Sequence, residues 1–178
     1  MRNKIIIPVI ALVLSFGILL GLTLGLNSIA QKNYEETHLE IMQILLPKST
    51  TFTKEDYIGD DENIKSVHKS ETGYIVETIV YGYADNIRMM IAVDLDGKCV
   101  GIMVLEMHET FGLGLNALRD HKFLSQFLGS STTMEVGDTI DAISGATVTS
   151  KAITKAVNSA IAFVTGADIE TGPTEWGA

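Results

Sequence analysis

The stretch Ile87–Met107 reads IRMMIAVDLDGKCVGIMVLEM and consists of two apolar runs on either side of Asp96-Gly97. An Asp-Gly step between two runs of strand-favouring residues is a strong signal for a tight β-hairpin. We therefore predict two antiparallel strands here. The preceding stretch Gly73–Tyr83, GYIVETIVYGY, is rich in strand-favouring residues and predicts a further strand of the same sheet.

Two stretches that follow the hairpin have the spacing of helices. Leu115–Gly129 repeats apolar residues at intervals of three to five positions, and a second helix is predicted from Thr147 to about Val164, ended by Gly166. A short strand is predicted between them, near Thr139–Ile143. The fold class that results is α+β, a small antiparallel sheet packed with helices. The predicted buried face of the last helix comprises Ala152, Ile153, Ala156, Val157, Ala160 and Ile161.

A long apolar segment precedes the sheet. From Ile5 to Ala30 no residue is charged, and about 20 apolar residues in a helix are enough to cross a bilayer core. A cleaved signal peptide is the alternative, with Arg2 and Lys4 as its basic start, but its apolar core would usually have only about 7–15 residues. We predict an anchor in the cell membrane with a cytoplasmic N-terminus, because basic flanks stay inside. The C-terminal domain is then extracytoplasmic.

The segment after the span is polar but retains helical spacing. Gln31–Leu46 predicts a stalk helix that Pro47 ends, and Lys48–Asn63 is polar and acidic, which predicts a loop or connector. The predicted organisation is a transmembrane anchor (1–30), a stalk helix and connector (31–63), and an extracytoplasmic domain (64–178).

Three glycines recur every fourth residue within the apolar segment. Gly17, Gly21 and Gly25 therefore lie on one helix face, and small residues at this spacing allow close approach of another membrane helix. We predict that this face contacts other membrane subunits.

The charge of the chain excludes one class of partner. Beyond Arg2 and Lys4 it has 11 basic and 22 acidic residues, a net charge of −11. Such a domain repels the phosphates of nucleic acid and anionic lipid surfaces. We therefore expect no nucleic acid partner.

The chain has a single cysteine, Cys99. It cannot form an intramolecular disulfide, a Cys-x-x-Cys zinc site or a thiolate-bound iron–sulfur cluster within this chain alone. We predict that Cys99 is a small buried residue in a strand.

The stretch Asp141–Ser150, DAISGATVTS, places four hydroxyl side chains around the start of the last predicted helix. Ser and Thr are favoured as helix N-caps, so a capped helix start is the simplest interpretation. A helix start also presents free N–H groups and the positive end of the helix dipole, which suit a phosphate. Lys151 and Lys155 follow one and two turns later and add positive charge.

The order Asp141-x-x-Ser144-Gly145-Ala146-Thr147 resembles the flavin-attachment motif of the FMN-binding domain family. The resemblance implies that a dedicated flavin transferase takes FMN from FAD and joins its phosphate to the threonine of Gly-Ala-Thr. That residue is Thr147 here, and the neighbouring hydroxyls of Thr149 and Ser150 are the alternatives. Asp141 would orient the loop or help to bind a metal during attachment.

A second motif, His108–Gly114, resembles the same family's His-x-Glu-Thr-Pro-Gly-Leu-Gly loop. This chain has one residue fewer between His and Glu, and Phe111 stands where proline is usual. Glycines let the backbone approach a flat ring closely. The resemblance implies that the flavin is lined by Glu109, Thr110, Gly112, Leu113 and Gly114.

With its single N-terminal span, the chain is similar to the G subunits of Rnf-type electron-transport complexes, and next to the C subunits of sodium-pumping NADH:quinone reductases. The resemblance implies an electron carrier with covalent FMN. It would act in a complex that couples ferredoxin:NAD⁺ electron transfer to Na⁺ or H⁺ translocation. Since this chain has neither a nucleotide fingerprint nor cluster-binding cysteines, it would not be catalytic alone.

Three alternatives stay open at the level of sequence. One is a stand-alone membrane-anchored flavoprotein. Another is a structural module without flavin, in which Thr147 only caps a helix. A hydrolase is the weakest of the three, because His38, His68 and His121 show no spacing to a nucleophile or a carboxylate that suggests a triad.

Overall fold

The computed structural model describes residues 3–108 and 121–167. Its first element, α1, is a single helix over Asn3–Leu45, so the predicted stalk is helical almost to Pro47. Within the described ranges, one stretch is long and apolar enough to cross a membrane, namely Leu14–Leu45.

The chain divides into two compact units, Met1–Glu40 and Ile41–Ala178. The first unit consists of α1 residues, and Gly17, Gly21 and Gly25 are exposed within it. The second unit contains the sheet, its flanking helices and the last turn of α1.

A five-stranded antiparallel sheet forms the second unit, with the strands in the order in which they occur in the chain. β3 and the β4–β5 hairpin confirm the strands predicted from strand-favouring residues and from Asp96-Gly97. Gly97 has φ +81° in the hairpin turn, a conformation that favours glycine. The strands are β1 (Thr53–Glu55), β2 (Ile64–Lys69), β3 (Gly73–Tyr81), β4 (Asn86–Asp94) and β5 (Cys99–Met107).

Two of these strands were not predicted. β1 lies inside the segment that was expected to be a loop or connector, and pairs along the edge of β2 through residues Thr53 to Glu55. β2 has an irregular register between Ile64 and Ser66, where one residue bulges out of the ladder. The bulge breaks the alternation by which a strand is recognised.

Two helices follow the sheet within residues 121–167. α2 spans His121–Ser125 and continues into turns up to Gly129, while residues 115–120 of the predicted helix lie outside the described residues. α3 spans Thr147–Thr165, as predicted, and all six residues of its predicted inner face are buried. Gly166 ends it with φ +70° and donates its N–H to Ala162 O at 2.8 Å.

The predicted strand near Thr139–Ile143 is wrong. In its place the chain makes a tight loop in which Glu135 O accepts the N–H groups of Asp138, Thr139 and Ile140 at 3.0–3.3 Å. Ile140 keeps only an isolated bridge to Val136. Because these backbone groups are satisfied within the loop, they do not join the sheet.

The sheet is covered on both faces. α3 and the Phe123–Phe127 pair pack against one face, in a core that includes Val76, Ile91 and Ile153. The last turn of α1 packs against the other face, where buried residues include Met42, Leu45, Leu46, Ile75, Met90 and Ala92.

Cys99 begins β5 and is fully buried, as predicted. Burial raises the pKa of its thiol to about 12. Its backbone N–H donates to Ser130 O at 2.9 Å, and its carbonyl accepts from Gly129 N–H at 2.7 Å. Because the neutral thiol is a weak nucleophile, Cys99 is a packing residue.

Candidate functional site

The segment before α3 is a tight turn that ends at an exposed threonine. Ala146 N–H donates to Ile143 O at 2.9 Å, which places Ser144 and Gly145 at the two central positions. Gly145 has φ +76°, the conformation that the third residue of a type II turn requires and that favours glycine. This is the physical reason for glycine in Ser144-Gly145-Ala146-Thr147.

The N-cap position of α3 is occupied by Ala146, and no side chain caps the helix. Thr147 is the first helical residue. The Thr147 hydroxyl therefore does not cap α3. The amides of a first helical turn have no acceptor one turn earlier in the helix, so this turn offers N–H donors at the positive end of the helix dipole.

Burial separates the three candidate hydroxyls. Thr147 is exposed, whereas Thr149 is 1% exposed and Ser150 is 0% exposed. Ser150 Oγ accepts the N–H of Ile143 at 3.1 Å and donates to Ala146 O at 2.9 Å, so it is engaged in holding the turn. Among these three hydroxyls, Thr147 is the one that an external reactant can reach.

Helical periodicity explains this difference. Thr149 lies four positions before the buried Ile153, so both belong to the face that packs on the sheet. Thr147 shares its face with Lys151, four positions later, and that lysine is half-buried. The candidate acceptor and a basic side chain thus follow one another on the same face of α3.

Asp141 lies two residues before the turn and has an exposed side chain, while its backbone is held by hydrogen bonds on both sides. Gln126, in the turn after α2, accepts the N–H of Asp141 on Oε1 at 2.8 Å. Its Nε2 donates to Asp141 O at 3.2 Å. The sequence analysis did not identify Gln126, because nothing in the local pattern relates it to a motif fifteen positions later.

Two sets of contacts fix the direction in which α3 crosses the sheet. Phe163, near its end, packs edge-on against Tyr74 at the start of β3, with ring centroids 5.7 Å apart. One turn earlier, Ser159 Oγ accepts a hydrogen bond from Asn63 Nδ2 at 3.4 Å. Asn63 O in turn accepts from Ile79 N–H, near the end of β3, at 2.8 Å. α3 therefore runs antiparallel to β3, and its first turn points toward the end of the sheet where β3 finishes.

The segment that enters the predicted flavin loop lies at that same end of the sheet. β5 runs in the same direction as β3, since each is antiparallel to β4, so His108 leaves the sheet beside the β3–β4 turn. His108 is exposed, and its Nδ1 lies 4.0 Å from Asp85 Oδ2 in that turn. Outside the described residues lie the predicted loop residues Glu109, Thr110, Gly112, Leu113 and Gly114.

Comparison with known proteins finds one matching family model and several similar proteins. Residues 82–162 match the model of the FMN-binding domain family. The chain is 29% identical over 150 residues to the G subunit of the proton-translocating ferredoxin:NAD(+) oxidoreductase complex of Clostridium ljungdahlii, covering 78% of each chain. It is 37% identical over 100 residues to the G subunit of the Na(+)-translocating ferredoxin:NAD(+) oxidoreductase complex of Acetobacterium woodii, covering 50% of this chain and 47% of that one.

Among solved structures, the chain is similar to the crystal structure of Shewanella oneidensis NqrC. The TM-score is 0.46 at 22% sequence identity, and the match covers 65% of this chain and 70% of that chain.

Proposed function

From the premise that residues 82–162 are an FMN-binding domain, we propose that this chain is a membrane-anchored electron carrier with FMN attached covalently to Thr147. It acts as one subunit of a complex that couples ferredoxin:NAD⁺ electron transfer to ion translocation. The observation on which the attachment site rests is the exposure of Thr147 next to the buried hydroxyls of Thr149 and Ser150.

The residues at the start of α3 suit the attachment chemistry. The Thr147 hydroxyl oxygen attacks the FMN-side phosphorus of FAD, and a new phosphorus–oxygen bond forms. The bond from that phosphorus to the oxygen of the AMP half breaks, AMP leaves, and the hydroxyl proton is lost to a base. The product is a phosphate diester at the N-terminus of a helix, where backbone N–H groups and the dipole stabilise an anion. A flavin transferase is the partner that this step requires.

Asp141, Ser144, Gly145, Ala146 and Lys151 form the rest of the proposed attachment site. Ser144 and Gly145 are exposed at the turn, so the backbone can approach the phosphate. Lys151 follows Thr147 by one turn on the same helix face and adds positive charge. We propose that Glu109, Thr110, Gly112, Leu113 and Gly114 line the flavin, because β5 leads toward them at the end of the sheet toward which the first turn of α3 points.

Bound FMN would supply one- and two-electron chemistry, and this chain would hold it in place. Each of the two relatives named above is the G subunit of a ferredoxin:NAD(+) oxidoreductase complex, one proton-translocating and one Na(+)-translocating. We therefore assign the chain to such a complex and leave the ion unassigned. Nucleotide binding, iron–sulfur clusters and the ion path belong to the other subunits, so this chain is part of an enzyme and not catalytic alone.

We propose that α1 anchors the chain in the cell membrane with its N-terminus cytoplasmic and the domain over 64–178 extracytoplasmic. Gly17, Gly21 and Gly25 are exposed on α1, and a Cβ placed on any of them meets no described atom within 4 Å. This face is suited to close packing against membrane helices of the partner subunits.

The test is in-gel flavin fluorescence of the denatured protein after expression with a flavin transferase. We expect a fluorescent wild-type band, no fluorescence for Thr147→Val, and retained fluorescence for the matched control Thr149→Val. Fluorescence that persists in Thr147→Val would move the attachment site to another hydroxyl. No fluorescence in the wild type, with a transferase active on another acceptor, would remove the covalent flavin from the proposal.

A further inference from the structure

The turn that presents Thr147 is fixed at its near end by the helix itself. Ser150 Oγ bonds to Ile143 N–H and to Ala146 O, and Ala146 N–H bonds to Ile143 O. These three hydrogen bonds determine the backbone from Ile143 to the start of α3. They leave open what determines the position of Asp141, the acidic residue at the far end of the motif.

Gln126 supplies that second point of attachment. Its side-chain amide forms hydrogen bonds to both the N–H and the carbonyl of Asp141, at 2.8 Å and 3.2 Å. A change in the backbone conformation of Asp141 therefore breaks at least one of these bonds. Gln126 itself stands between Phe123 and Phe127, which are 2% and 0% exposed and pack edge to face at 5.3 Å. The clamp is therefore anchored in the core.

We infer that Gln126 is a positioning residue for flavin attachment. It holds the backbone of Asp141, so that the start of the Asp141–Thr147 motif keeps a fixed place while the transferase acts. The inference rests on the proposed function. It adds Gln126, which lies outside the Asp141–Thr147 motif, to the residues on which the attachment reaction depends. Gln126 touches neither the acceptor oxygen nor the phosphate and acts only through the backbone of Asp141.

The chain offers a matched control for this amide clamp. Asn158 in α3 accepts the N–H of Met134 on Oδ1 at 3.0 Å and donates from Nδ2 to Met134 O at 2.8 Å. It is half-buried, like Gln126, and it clamps a single backbone residue in the same two-bond manner. Because Met134 lies outside the motif, loss of these two hydrogen bonds should lower the stability of the domain without displacing Asp141.

The experiment measures the rate at which the full-length protein gains covalent FMN from FAD and a flavin transferase. The variants are Gln126→Met, which keeps the length without the amide, and the control Asn158→Leu. We expect Gln126→Met to lower the rate at saturating FAD by about tenfold, because small displacements of reacting groups slow reactions strongly. The half-saturating FAD concentration should not change, since the transferase binds FAD. Asn158→Leu should attach FMN at close to the wild-type rate despite a lower melting temperature.

A merely structural role gives a different result. If both variants lose rate in proportion to their loss of stability, or if Gln126→Met reacts as fast as the wild type, the inference is overturned. Gln126→Glu keeps the acceptor for Asp141 N–H and loses the donor to Asp141 O, so we expect an intermediate rate. If Gln126→Met does not fold, Gln126→Glu serves as the test instead. A wild-type rate of attachment in Gln126→Glu would then overturn the inference.

Amide hydrogen exchange gives a readout that does not depend on the cofactor. Exchange at the Asp141 N–H should accelerate in Gln126→Met and stay slow in Asn158→Leu. A wild type that gains no FMN, although its Asp141 N–H exchanges slowly, would mean that the proposed function fails. A wild type that gains FMN, together with a Gln126→Met variant that gains it equally fast, would mean that only the positioning role fails.

Discussion

The hydroxyl of Ser150 closes the turn that precedes its own helix, with its Oγ 3.1 Å from the N–H of Ile143, seven positions earlier. Because Ser150 is fully buried, water cannot replace its hydroxyl as the acceptor for the Ile143 N–H. Removal of the hydroxyl leaves a backbone donor unsatisfied, which is the costly case among hydrogen-bond deletions.

Ser150→Ala should therefore lower the free energy of unfolding by about 1–3 kcal/mol. Thr154→Val is the control, because the buried Thr154 hydroxyl donates to the Ser150 carbonyl and its removal strands no N–H donor. Chemical denaturation of both variants checks the difference. Equal losses in the two variants would contradict the role assigned to Ser150. Covalent FMN should still form at Thr147 in Ser150→Ala, as peptide mass mapping would show.

Gly145→Ala should destabilise the domain by about 1–2 kcal/mol, because Gly145 has φ +76° and an L-residue with a Cβ pays that cost in the left-handed region. Gly145→Asn should cost less, since asparagine tolerates this conformation. Thermal unfolding of the two variants beside the wild type gives the order. If alanine and asparagine have the same effect, the loss comes from lost space at the turn and not from backbone conformation.

Glu77 is buried in β3 and accepts hydrogen bonds from Ser66 Oγ at 2.7 Å and from Arg88 Nε. Arg88→Met should destabilise the domain by roughly 3 kcal/mol, because it removes the cationic partner of a carboxylate that is 7% exposed. The double variant Glu77→Leu/Arg88→Met should recover much of that loss. Urea titrations of the single and double variants measure it. A double variant less stable than Arg88→Met would contradict this account.

The hydrogen bonds of the Glu71 carboxyl predict that the stability of the fold depends on pH. Hydrogen bonds from its own backbone N–H and from the hydroxyls of Thr51 and Thr50 lower the pKa of its carboxyl to about 2. A carboxyl with a lower pKa in the folded state stabilises the fold above its unfolded pKa and loses that contribution as the pH falls toward the folded value. Glu71 therefore holds the segment after α1 to the β2–β3 turn at neutral pH.

Glu71→Gln should be less stable than the wild type at pH 6, and the difference should shrink between about pH 4.5 and pH 2. Melting temperatures across this range provide the measurement, with the exposed Glu62→Gln as a charge-matched control. A constant difference from pH 6 to pH 2 would show that the carboxylate charge at Glu71 is not responsible.

The strands that were predictable are those in which the local pattern agrees with the tertiary environment. β3 and β4 pair without interruption from Gly73 to Tyr81, so the run of strand-favouring residues in the sequence coincides with a regular strand that is largely buried. In β2, Ile64 and Val67 both face the core although they are three positions apart, because the bulge shifts the register between them. Alternation alone places such residues on opposite faces.

The residues of the proposed attachment site divide in the same way. The choice of Thr147 over Thr149 was accessible to sequence reasoning, because Thr149 is in helical register with the apolar face of α3. Gln126 was not accessible, because its bonds to Asp141 arise only when the turn after α2 comes to lie beside the motif. Local periodicity predicts which face a residue occupies, and long-range contacts decide what holds it there.

Every strand of this sheet pairs with the strand made immediately before it. A chain leaving the ribosome at about 5–20 residues per second can therefore complete each pairing as the next strand emerges, without waiting for a distant segment. α3 contacts β3 and β4, and both are synthesised long before it. The order of translation thus delivers α3 onto a sheet that already exists, so the proposed attachment of flavin at Thr147 would come late in the life of the chain.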